Sequence, residues 1–231
     1  MPVVPIFRTA QDCPMIDLEF RVESGAPVRF AAVPQVNFSL QVVGPVDRVV
    51  HAVTLRCQIE IESSRRRYTA AQQRRLVDLF GEPDRWSQTL PTMLWTHVSV
   101  VIPTFKGETT VDVSVPCTFD FNVAATKYFH AMTDGDLPLR FLFSGTVFYE
   151  DPSAGLRVMP IPWGKEASYR WPVDAWRAVM ETYYPKTAWI CLRRDVFDRV
   201  FDFKAREDLP TWEDTMERLL GGAEPAERGA R

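Results

Sequence analysis

Histidine is scarce: three in 231 residues. None stands beside a cysteine or a second histidine at ligand spacing, so no local zinc motif is present. The four cysteines, Cys13, Cys57, Cys117 and Cys191, are scattered and form no C-x-x-C pair. The chain has no G-x-G-x-x-G, no G-K-[ST] and no G-x-S-x-G, which excludes the dinucleotide fingerprint, the phosphate loop and the nucleophile elbow. No apolar run reaches the roughly 20 residues that span a bilayer. A formal net charge of -3 gives no global basic field for nucleic acid or an anionic membrane. The opening MPVVPIFRTAQDCPM lacks the apolar run and the cleavage site of a signal peptide, so the cytoplasm is the expected location.

The remaining chemistry is thin. Asp134 and Asp136 flank a glycine, as in calcium loops, but the further oxygen ligands and closing Glu are absent. Ser144 falls inside a strand and not at an elbow. By pattern Glu60 and Glu62, like Asp12 and Asp17, belong to solvated faces. No cofactor, no metal and no catalytic residue is therefore expected. An enzyme would need distant groups to converge, for example His97 or His130 on a carboxylate.

What is present is alternation. At 46% hydrophobic and 25% charged, the chain is an ordinary globular sequence, long enough to bury a core without staples. From His51 to Glu62, apolar and polar residues alternate without a break, as in a half-solvated antiparallel strand. Ile16 to Val22, Val36 to Val42, His97 to Pro103, Thr109 to Val115 and Leu156 to Ile161 read as further strands, with Pro160 and Pro162 marking an edge or an exit at the last. Between Cys117 and Glu150 the sequence predicts a strand over 117–123, a short helix, a turn at Asp134-Gly135-Asp136 and a central strand. On that strand Leu139, Phe141, Phe143, Gly145, Val147 and Tyr149 share one face, and Leu142 and Phe148 lie on the other.

Helical spacing appears in two places. Thr69 caps an insertion over about 69–80, with Leu76, Val77, Leu79 and Phe80 as its stripe and Gly81 as its stop. After Trp163 the pattern turns α-rich. Trp176 to Tyr184 is a helix ended by Pro185, Trp189 to Leu192 a short strand, and Asp195 opens a helix with Val196, Phe197, Val200 and Phe201 inward. Thr211 to Asp214 approximates a capping box before a last helix ending at Gly221-Gly222. The expected architecture is mainly β: an antiparallel β-sandwich, immunoglobulin- or C2-like, with antiparallel α+β as the competing reading. Its parts are an extended arm over 1–15, the sandwich over 16–162, an α-rich segment over 163–222 packed on it, and a disordered tail over 223–231. A sandwich could bring Cys57 and Cys117 together as a disulfide; otherwise they are two buried thiols.

Two features suggest binding. Arg65, Arg66, Arg67, Arg74 and Arg75 fall between Ser63 and Arg75 with no acid among them and with Tyr68 inside the run. The first three precede a helix start, where positive charge opposes the dipole. An acidic partner would relieve that; so would pairing with Glu60, Glu62, Asp78 and Glu82. Seven tryptophans are the second feature. Trp86 and Trp163 sit in polar, Pro/Gly-rich loops and are expected as exposed interface anchors, whereas the others are expected to fix helices to the sheets. The candidate partner-binding residues are thus Arg65, Arg66, Arg67, Tyr68, Trp86 and Trp163.

The strings HAVTLRCQIEI with RRRY, LFGEPDRW, LWTHVSVVIP, PCTFDFNVAATKYFHAMTDGDLPLRFLFSGTVF, PWGKEASYRWPVDAW and LPTW resemble the DUF6084 family, found mostly in actinobacteria, over about residues 36–220. The family has no established catalytic residues to carry over. The resemblance implies an accessory protein of uptake [NiFe]-hydrogenases, acting in assembly, maturation or docking through a protein partner, with no nucleic acid and no membrane insertion. The alternative reading is a carrier of a small molecule or metal, with a pocket between sandwich and C-terminal helices.

Overall fold

The 16-residue strand β6 (Asp136–Asp151) organises the larger part of the molecule. A computed structural model describes residues 16–118, 123–152, 155–187 and 190–221. The other strands are β1 (Glu19–Pro27), β2 (Gln35–Val43), β3 (Val50–Glu62), β4 (Thr92–Ile102), β5 (Glu108–Pro116), β7 (Gly155–Pro160) and β8 (Glu166–Pro172). They form two antiparallel sheets, one ordered β1-β2-β5 and one ordered β4-β3-β6, in which β6 has two partners on its far side. β8 pairs with its first half, from Asp136 to Leu142, and β7 with its second, from Thr146 to Asp151. Gly145 sits between the two, at φ 142°, and a Cβ there would lie 1.9 Å from Thr54 O of β3. Only glycine lets the neighbouring backbone come so close at the point where the partner changes.

The alternation seen in sequence becomes burial. Leu139, Phe141, Phe143, Val147 and Tyr149 of β6 are buried, as are Val53, Leu55, Cys57, Ile59 and Ile61 of β3. Leu142 and Phe148 on the opposite face are only half-buried. Rings from both sheets meet in one aromatic cluster. Phe38 of β2 packs edge-on against Phe141 of β6 at 5.2 Å and Trp171 of β8 at 5.3 Å. Trp171 stacks on Trp95 of β4 at 5.8 Å, and its Nε1 donates to Gly25 O of β1 at 3.0 Å. Trp95 and Trp171 are therefore strand residues of the core, and both also meet the helix residue Phe129, at 5.0 and 6.1 Å, as expected of tryptophans that fix helices to the sheets.

Three longer helices accompany the sheets. α1 (Ala70–Phe80) starts at a complete capping box: Thr69 Oγ1 accepts from the Gln72 N–H, and Gln72 Oε1 accepts from the Thr69 N–H. A 3₁₀ turn (Pro83–Arg85) and the single helical turn α2 (Trp86–Thr89) follow. α3 (Val123–Ala131) and α4 (Val173–Tyr183) bury Tyr128, Phe129, Trp176 and Val179.

Several sequence expectations change. Val123 opens α3 and Cys117 follows the end of β5, so the strand expected over 117–123 does not extend to either residue; 119–122 lie outside the described residues. β4 and β5 are consecutive but belong to different sheets. The α-rich segment expected from residue 163 begins with a strand, β8, whose alternation of Ala167, Tyr169 and Trp171 is short and follows the glycine and proline of the preceding loop. Cys57 and Cys117 are buried free thiols, and burial pushes both up to about 12. Cys13, the arm over 1–15 and the tail over 223–231 lie outside the described residues.

The chain divides into two compact units, with the boundary between Lys186 and Thr187. The second contains α5 (Arg194–Arg206) and α6 (Trp212–Gly221). Phe197, Phe201 and Trp212 cluster there, with centroids 5.5 to 6.2 Å apart. They stay open, Phe201 at 52% exposure, and α5 has no buried residue, contrary to the inward stripe expected for it. Two helices offer too little facing surface to enclose three large rings. Ile190 to Leu192 is not a strand; Trp189, expected to begin it, lies outside the described residues. Lys204 Nζ donates to the carbonyls of Leu209 and Pro210, which closes the turn, and the Asp214 N–H donates to Thr211 Oγ1 at 3.0 Å to start α6.

Candidate functional site

The arginine run folds against the Asp134-Gly135-Asp136 turn. Gly135 takes φ 69°, the left-handed conformation such a turn requires. The turn is held from three sides. Gln72 Nε2, at the buried first turn of α1, donates to Asp134 Oδ1 and to Thr133 Oγ1, both at 3.1 Å. The Val173 N–H at the start of α4 donates to Gly135 O at 2.9 Å. Arg66 Nη1 donates to Asp136 O at 2.9 Å and its Nη2 to Asp134 O at 3.0 Å.

The three consecutive arginines therefore have three different fates. Arg66 is structural: its side chain is 8% exposed, its guanidinium lies 5.6 Å from the Tyr68 ring centroid, and Asp134 Oδ1 is 3.6 Å away. Arg65 is exposed and pairs with the buried carboxylate of Glu62 at 3.1 Å. Arg67 is exposed and forms no ion pair or hydrogen bond through its side chain among the described residues. Of the acids expected to neutralise the run, Glu62 does so, whereas Glu60 is taken by Arg140 at 2.7 Å.

An open cleft of about 520 Å³ lies beside this corner. Ser64, Arg65, Arg66 and Arg67 line one part of it, Gly135 and Asp136 another, and Arg170 of β8 completes it. Arg170 is exposed and, like Arg67, has no carboxylate partner among the described residues. No local pattern marks Arg170 as part of the site; only the pairing of β8 with β6, Pro138 opposite Arg170, carries it there. The cleft thus combines two untethered guanidiniums with a turn that is already bonded in place. Guanidiniums of this kind bind carboxylate or phosphate oxygens through paired N–H donors.

Tyr68 and Trp86 lie behind this surface and not on it. Tyr68 Oη donates to Ser63 O at 2.5 Å and meets Tyr128 Oη at 2.9 Å; burial, reinforced by Tyr128, raises its pKa well above the usual tyrosine range. Trp86, expected as an exposed anchor, is only 6% exposed. Its ring packs edge-on against Tyr68 and Phe80, and its Nε1 donates to Gly81 O at 2.8 Å. The turn that follows α1 folds the loop inward, a reversal that polar neighbours in sequence do not reveal. Trp163 stands fully in solvent, at 102% exposure, on the loop joining β7 to β8.

Among the described residues, no group of three or more His, Cys, Asp or Glu side chains is placed to hold a metal ion. His97 Nε2 contacts Gln58 Oε1 at 3.0 Å, and His51 lies 3.9 Å from Glu150. No described helix is long and apolar enough to cross a membrane.

No curated protein matches the chain at a significant level. Among solved structures it is similar to a protein described as late embryogenesis abundant (LEA), at 14% identity and TM-score 0.31, covering 69% of this chain and 72% of that one. It is also similar to a β-glucosidase from Kluyveromyces marxianus, at 11% identity and TM-score 0.24, covering 68% of this chain and 15% of that one. Likenesses this weak say nothing further about the molecule. The family comparison is of another order: the model of the family of unknown function DUF6084 matches residues 15–228, so the chain belongs to that family.

Proposed function

We propose that this protein is a non-catalytic cytoplasmic docking protein whose arginine cleft receives an acidic segment of a protein client. The observation that carries the reading is the pair Arg67 and Arg170, two exposed guanidiniums without carboxylate partners among the described residues, on one cleft whose backbone is fixed by Arg66 and Gln72. The overall charge of -3 opposes non-specific capture of acids, so attraction must be local to the cleft. The two sheets are read here as the facing layers of a β-sandwich, a rigid frame for a surface site. Trp163 is read as a second contact, since a fully exposed tryptophan is a frequent interface anchor. The client class is the one the family resemblance implies: a subunit or maturation factor of an uptake [NiFe]-hydrogenase.

Affinity capture with mass spectrometry, from cells expressing such a hydrogenase, tests this reading. Wild-type protein is expected to recover a hydrogenase component, and the Arg67→Glu/Arg170→Glu variant is expected to lose it. Equal recovery by both, or no hydrogenase component with either, overturns it.

A further inference from the structure

The second half of β6 is covered on its far side by β7 alone, and among the described residues nothing pairs with the outer edge of β7. The ladder shows which groups that edge offers. β7 and β6 are antiparallel, with Met159 opposite Val147 and Arg157 opposite Tyr149, and the Ile161 N–H donates to Gly145 O in the same register. Hydrogen bonding alternates along an antiparallel strand, so Met159, Arg157 and Gly155 bond inward to β6. Leu156 and Val158 therefore turn their N–H and C=O groups outward, and Pro160, the next residue of that set, has no N–H to offer.

Natural edges are usually blunted by lysine, proline, inward charge or a bulge. Protection here is partial: Pro160 ends the edge, and Arg157 shares the face of the buried Val147 and Tyr149. Here Leu156 and Val158 are 64% and 58% exposed, on the face that carries the half-buried Phe148. Between them Arg157 points to the opposite face, exposed and without an ion-pair partner among the described residues. A second copy paired about the middle of the strand would set Arg157 against Arg157, and like charges directly opposite are destabilising. The charge instead calls for an acid across from it.

We propose that the outer edge of β7 is a strand-addition site that takes an extended segment of a partner protein, with an acidic residue between two apolar ones. The apolar residues extend the row that ends at Leu156 and Val158. The acid falls opposite Arg157 at a non-hydrogen-bonded position, where cross-strand side chains lie closest. The site shares no residue with the arginine cleft and stands or falls independently of it.

The test uses the full chain, isotopically labelled, and two peptides that differ only in an Ile-Asp-Ile or Ile-Lys-Ile centre. The Asp peptide is expected to shift the amide resonances of Leu156 and Val158 in NMR spectra and to bind about three- to fivefold tighter than the Lys peptide. Arg157→Glu is expected to invert that preference. Val158→Pro, which removes one outward N–H at a position an edge strand tolerates, is expected to cost about tenfold in affinity for either peptide while the melting temperature holds. The Arg67→Glu/Arg170→Glu variant is expected to leave these shifts in place. Shifts confined to Arg67 and Arg170, equal binding of the two peptides, or wild-type affinity in Val158→Pro overturn the proposal. So does a wild-type dimer that Val158→Pro converts to monomer.

Discussion

The two units solve the problem of apolar surface in opposite ways. In the first, Phe38, Phe141, Trp95 and Trp171 close on one another and are buried. In the second, Phe197, Phe201 and Trp212 also touch, yet all three remain partly in solvent. Mutual contact is therefore no measure of burial. Removing a ring from the first unit leaves a cavity that packed neighbours cannot fill; removing one from the second gives the space to water. The same contrast holds for charge within the first unit. Arg66 is bonded to two carbonyls and belongs to the architecture, whereas its neighbour Arg67 is free to bind something else.

The largest expected effect bears on the rings. Phe38→Ala should destabilise the protein by about 3–5 kcal/mol, as for other buried phenylalanines, while Phe201→Ala should cost under ~1 kcal/mol. Urea denaturation followed by circular dichroism checks both, and similar losses would erase the distinction between the units. Next come the arginines. Arg66→Ala removes charged hydrogen bonds to the carbonyls of Asp134 and Asp136 and should cost about 1.5–3 kcal/mol, whereas Arg67→Ala should stay within ~0.5 kcal/mol; the same denaturation series measures both. The last effect concerns pH and is absent at neutral pH. Burial pushes Cys57 and Cys117 up to about 12, so the folded protein keeps protons that unfolded thiols release from their ordinary value of 9.0 upward. That contribution is intact below pH 9.0 and is lost as pH rises toward about 12. Denaturation midpoints measured between these limits should fall with pH, and Cys57→Val should reduce the slope.

Much of the β architecture was legible because a half-buried strand writes its register as period two. β2, β3 and β6 follow that rule over nine or more residues each. α1 was legible because Thr69 and Gln72 form a cap within four residues. What escaped is what distant segments decide. β8 is short, and its Trp171 is explained by Phe38 and Trp95, far away in sequence. Trp86 looked exposed because its neighbours in the chain are polar, but its neighbours in space are Tyr68 and Phe80. The stripe on α5 announced an amphipathic helix correctly and misled about burial, because spacing defines a face without supplying what covers it. At the cleft, sequence marked the arginine run but could not divide it into bound and free members, nor add Arg170.

The most direct test of the docking reading is the fluorescence anisotropy of a labelled hexaglutamate peptide titrated with the protein at low and physiological salt. The account predicts saturable binding to the wild type that weakens with salt, loss of binding in Arg67→Glu/Arg170→Glu, and an unchanged melting temperature in that variant. Binding that is absent in the wild type, or that survives the double charge reversal, would contradict it.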